Sequence, residues 1–92
     1  MDTINKNTNI QNSEDLYAYI AKLCLNLESY TKTEILNYVI EKLNNSKLKI
    51  NEKHLTEMVN ATLKFLERYQ LIVLENGIYS KRTGKVINSH ML

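Results

Sequence analysis

Between Asn51 and Tyr69, positions 55, 58, 59, 62, 63, 66 and 69 recur at intervals of three and four. That spacing places them on one stripe of an α-helix. Asn51 stands where a side-chain oxygen can accept from a free first-turn amide, so it is the expected N-cap. Directly after this helix, Leu71-Ile72-Val73-Leu74 and Ile78-Tyr79-Ser80 flank an Asn76-Gly77 pair. Asn-Gly between apolar runs predicts a tight two-residue hairpin turn.

Two shorter helices are predicted upstream. Ser13-Glu14-Asp15 opens the first, with Ser13 as the capping residue and two acids at the positive end of the helix dipole. Its expected buried stripe is Leu16, Ile20, Leu23 and Leu27, flanked by Tyr17, Tyr19 and Cys24. Thr31-Lys32-Thr33-Glu34 matches the capping box and opens the second helix. That helix should run to about Leu43 and bury Ile35, Leu36, Val39, Ile40 and Leu43, with Asn44-Asn45-Ser46 ending it. Glu28-Ser29-Tyr30 breaks the helical pattern. Lys47-Leu48-Lys49-Ile50 alternates polar and apolar, an extended connection into the long helix. Residues 1–12, rich in Asn, Thr and Lys, read as a mobile tail, the alternative being an arm that orders on a partner. Residues 13–92 form the domain, and residues 86–92 are a short apolar close suited to a final helical turn or a dimer contact. The expected class is α+β, mostly helical, with a three-helix core followed by a β-hairpin.

At 92 residues there is room for one small core. No apolar run reaches the length of a membrane span, and the first residues lack the apolar segment of a secretory signal. The single cysteine, Cys24, cannot form an internal disulfide; it reads as a small buried hydrophobe in a protein of the reducing cytoplasm. His54 and His90 belong to no metal-ligand array. No glycine-rich phosphate loop is present, and the acids are not paired for acid–base work. No enzyme, metal, cofactor or membrane partner is therefore expected.

Net charge is only +2, but it is unevenly divided. Residues 1–45 carry four lysines against six acids, net −2; residues 46–92 carry eight cations against four acids, net +4. Such asymmetry suits a nucleic-acid face. By elimination, the solvent face of the long helix carries Lys53, Glu57, Asn60, Ala61, Lys64 and Arg68. Asn and Lys suit base edges or phosphates, whereas Glu57 repels phosphate. Charges over 51–69 cancel, three against three. Lys81, Arg82 and Lys85 cluster after the hairpin, suited either to phosphate contact or to a solvated edge that discourages strand pairing. Lys47 and Lys49 add positive charge before the helix.

The order helix, helix, helix, hairpin over roughly residues 13–85 resembles the winged-helix superfamily. Residues 61–72 look like its helix-to-strand passage, and Gly77-Ile78-Tyr79-Ser80-Lys81-Arg82-Thr83-Gly84-Lys85 looks like its closing strand. The ending is similar to the winged-helix module of superfamily 2 DNA-repair helicases, with Lys81 where that pattern has Thr and Thr83 where it has Leu. Without motor domains in these residues, helicase activity is not expected. The resemblance implies a nucleic-acid-binding or adaptor module. By that analogy Lys53, Asn60, Lys64 and Arg68 face the major groove of double-stranded DNA. Lys81, Arg82 and Lys85 hold the backbone through the wing, and Lys47 and Lys49 steady the approach. A small transcriptional regulator or DNA-processing accessory factor is the leading expectation.

The alternative is a protein-interaction module, with a protein partner or a second copy. It draws on the neutral long helix and on Tyr17, Tyr19, Tyr30, Tyr38, Tyr69 and Tyr79, which cannot all be buried with their hydroxyls satisfied. A third possibility, a helical domain with an independent hairpin, requires that residues 71–81 not pack on the long helix.

Overall fold

The computed structural model describes residues 10–82. Most of the expected tail and the apolar close at 86–92 lie outside the described residues. Each helix begins at a side chain that accepts from its own first turn. Helix α1 (Ser13–Asn26) is capped by Asn12, whose Oδ1 accepts from the Asp15 N–H at 2.9 Å. The expected cap was Ser13. Asn12 displaces it because Asp15 answers from the third helical position, its carboxylate accepting the Gln11 N–H at 3.0 Å. Helix α2 (Lys32–Asn44) carries the full reciprocal box between Thr31 and Glu34, at 3.2 and 2.9 Å. Helix α3 (Glu52–Arg68) is capped by Asn51 through the His54 N–H at 2.7 Å.

Between α1 and α2 lies strand β1 (Ser29–Tyr30), and after α3 come β2 (Ile72–Glu75) and β3 (Ile78–Lys81). The sheet is antiparallel in the order β1-β3-β2, with Tyr30 opposite Tyr79, Ser29 opposite Ser80 and Leu74 opposite Tyr79. The hairpin turns on Asn76 and Gly77, both at positive φ (53° and 81°), as the tight turn requires. The molecule is α+β and mostly helical, three helices followed by a small three-stranded sheet, compatible with a winged-helix layout. No helix is long and apolar enough to cross a membrane among the described residues.

One core joins all six elements: Leu16, Ile20 and Cys24 from α1; Tyr30 from β1; Ile35 and Val39 from α2; Leu55, Met58, Val59, Leu63 and Leu66 from α3; Ile72 and Tyr79 from the hairpin. The hairpin therefore packs on α3 and is not independent of it. Ile10, upstream of the expected domain start, is also buried at 2% exposure.

Burial is narrower than the apolar pattern predicts. In α1 the fully buried row is Leu16, Ile20 and Cys24, at strict four-residue spacing, and Leu23 and Leu27 are only half-buried. Leu27 is already extended (φ −77°, ψ 144°), so the helix ends before it can complete the stripe. In α2 only Ile35 and Val39 are fully buried; Leu36, Ile40 and Leu43 pack at the margin. Tyr69, expected at the end of the α3 stripe, lies beyond the helix and is 60% exposed. Thr62 completes the stripe because its hydroxyl donates to the Met58 carbonyl at 3.0 Å, which satisfies the polar atom inside the core.

Candidate nucleic-acid interface

With Leu55, Met58, Val59, Thr62, Leu63 and Leu66 turned inward, the geometry of α3 turns Lys53, Glu57, Lys64 and Arg68 outward, and all four are exposed. Asn60 sits at the shoulder of this face and is half-buried. The outward face has few internal partners. Among the described residues the one approach of a basic to an acidic side chain within 4.0 Å is His54 Nδ1 to Glu57 Oε1, at 3.6 Å. Lys53, Lys64 and Arg68 thus have no carboxylate within 4.0 Å among those residues, and Glu57 leans toward His54.

The chain passes from α3 to the sheet through a tight C-terminal motif. The Gln70 N–H bonds the Glu67 carbonyl at 3.0 Å and the Leu71 N–H bonds the Leu66 carbonyl at 2.9 Å, with Gln70 at φ 63°. This is the Schellman arrangement. The Arg82 N–H then bonds the Leu71 carbonyl at 3.0 Å, which ties the outgoing end of β3 to the C-terminal end of α3. Arg82 and Lys81 are exposed there. Lys85 lies outside the described residues.

Lys47 and Lys49 are exposed at the opposite end. Leu48 and Ile50 alternate with them and pack against the core, and the Ser46 hydroxyl accepts the Leu48 N–H at 3.2 Å. The loop lines a cleft together with Ile10 and Gln11. The expected site residues therefore form two groups. Lys47 and Lys49 lead into Lys53 at the N-terminal end of α3. Lys64 and Arg68 stand toward its C-terminal end, to which the backbone of β3 returns Lys81 and Arg82. Lys53 and Arg68 are roughly 22 Å apart along the axis at 1.5 Å per residue.

Phe65 was not singled out by the sequence pattern. It is 57% exposed and meets Tyr69 with ring centroids 4.8 Å apart. With Tyr17, Ala18, Ala21, Ala61 and Thr62 it lines an apolar groove between α1 and α3. Ala61, Lys64, Phe65, Glu67 and Arg68 line an adjoining open depression. The missed signal is a second row on α3: positions 61, 64, 65, 68 and 69 share a face just outside the buried stripe.

In the interior, burial pushes the Cys24 thiol up, so the thiolate that nucleophilic or metal chemistry needs is disfavoured. No group of three or more His, Cys, Asp or Glu side chains is placed to hold a metal ion among the described residues. Comparison with protein-family profiles, curated proteins and solved structures finds no match to this chain.

Proposed function

We propose that the chain is a winged-helix protein that binds double-stranded DNA, as a transcriptional regulator or a DNA-processing accessory factor. The observation that carries the reading is the bond from the Arg82 N–H to the Leu71 carbonyl. It brings the cationic end of the hairpin back to the residue that follows α3, and Lys64 and Arg68 are exposed toward that same end of the helix. Phosphate contact by Lys47, Lys49, Lys53, Lys64, Arg68, Lys81 and Arg82 supplies the affinity, with Lys85 as a further candidate. Asn60, at the shoulder of α3, is the candidate for reading a base edge. Glu57 and the cancelling charges of α3 favour moderate, strongly salt-dependent binding.

The test is a titration of random-sequence duplex at several salt concentrations. Four to six neutralised phosphates give a log–log slope of about −4 to −5. Reversing Lys64, Arg68 and Arg82 to Glu together should abolish the binding. Absence of any binding at low salt overturns the reading.

The second reading, an adaptor that binds protein, draws support from Tyr17, Tyr38, Phe65 and Tyr69, all more than 40% exposed. Under it, the same charge reversal leaves partner binding largely intact.

A further inference from the structure

Ala61, Lys64, Phe65, Arg68 and Tyr69 follow one another at i, i+3, i+4, i+7 and i+8 along the end of α3. This face carries two cations and two aromatic rings in alternating rows. Phe65 and Tyr69 are 57% and 60% exposed, and their rings meet at 4.8 Å with planes inclined by 53°. Neither ring joins the core, which closes on Leu66 and Ile72 on either side of Tyr69 in the sequence. Lys64 and Arg68 have no carboxylate within 4.0 Å among the described residues. Arg82 is brought to the same end of the helix by its bond to Leu71.

We propose that this face binds single-stranded nucleic acid. Unpaired bases stack on Phe65 and Tyr69, and the phosphates of the same strand run past Lys64, Arg68 and Arg82. Each component has a reason to be there. Stacking on an exposed ring requires a free base face, which a duplex hides within its own stack, so the rings select for unpaired strands. A cation within one helical turn of each ring meets the phosphate that accompanies each base. The two rings and Arg68 also suit a protein interface; Lys64, of a residue type depleted from the centres of such interfaces, tips the face toward nucleic acid. Glu67, in the same depression, leaves the phosphate path to the Lys64–Arg68 side. The inference deepens the nucleic-acid reading above, yet it stands on two rings that duplex binding does not need.

The chain contains no tryptophan, so Phe65→Trp installs a single reporter on the platform. The probe is a single-stranded oligothymidine of about 12 nucleotides, within the span that one small domain covers. Saturable quenching of the introduced indole's emission is expected. In the otherwise native chain, Phe65→Ala and Tyr69→Ala should each weaken binding of the labelled oligothymidine by about five- to hundredfold. Three neutralised phosphates predict a log–log salt slope of about −2. Circular dichroism should find both alanine variants folded, since both side chains are largely in solvent. A labelled duplex titrated in parallel separates the two readings: it should be indifferent to Phe65→Ala. Binding of oligothymidine that neither alanine variant weakens overturns the platform, as does the absence of quenching. Self-association that Phe65→Ala abolishes, without oligothymidine binding, overturns it in favour of an interface between copies.

Discussion

The Tyr30 hydroxyl donates to the carbonyl oxygen of Cys24 at 2.7 Å, inside the core. Cys24 lies in the last turn of α1, where carbonyls have no amide ahead of them in the helix. A side chain from β1 therefore completes the end of α1, and its ring then stacks on Tyr79 of β3 with centroids 5.8 Å apart and planes 13° from parallel. One residue links the helical layer to the sheet that carries the hairpin.

Tyr30→Phe keeps the ring and the stack but leaves the buried Cys24 carbonyl unpaired. The loss of that single bond should destabilise the fold by about 1–3 kcal/mol. Urea unfolding followed by circular dichroism measures it. Tyr38→Phe is the control: Tyr38 is 45% exposed and should change stability by no more than about 0.5 kcal/mol.

Alkaline pH should unfold the protein through the same group. Burial, before any neighbour, pushes the Tyr30 hydroxyl above its ordinary value, and the nearby Cys24 and Tyr79 side chains add to the shift. Burial also raises Tyr79 and Tyr19, with Glu67 and Glu41 as the next causes. A raised folded pKa means the native state keeps a proton that the unfolded state releases. Stability is then fully present below the unfolded tyrosine value of about 10 and falls as pH rises above it. Each such group contributes up to about 1.4 kcal/mol per pH unit in that window. Urea midpoints from pH 8 to 11 should decline, and more gently in Tyr30→Phe; a flat profile would refute this account.

Gln70 holds a left-handed backbone (φ 63°) at the end of α3, where its side chain is exposed. Glycine reaches that conformation without the steric cost of a β-carbon. Gln70→Gly should stabilise the protein by about 1 kcal/mol. For a domain of this size that raises the thermal midpoint by roughly 4–8 °C. A lower midpoint would mean that the Gln70 side chain contributes something its exposure does not reveal.

Local chemistry made much of this architecture legible in advance. The Thr31–Glu34 box, the Asn51 cap and the Asn76-Gly77 turn are decided by atoms a few residues apart, so the residue types suffice. The α3 stripe was equally readable from Leu55 to Leu66, because one continuous helix carries the period. The cations could be enumerated from the chain too, but their grouping could not. Arg82 reaches the end of α3 that carries Lys64 and Arg68 because the cap at Gln70 turns the chain straight into the hairpin, whose register sets the Arg82 N–H on the Leu71 carbonyl. Which apolar residues leave the core was likewise a tertiary decision. Tyr69 fits the helical period yet points to solvent, since the chain turns into its left-handed cap at the next residue. Phe65 lies beside the stripe, and whether it was covered depended on Tyr17, Ala18 and Ala21 of α1, which leave a groove there and not a lid. Periodicity determines which face a residue occupies; only the packing of one element on another determines whether that face is closed.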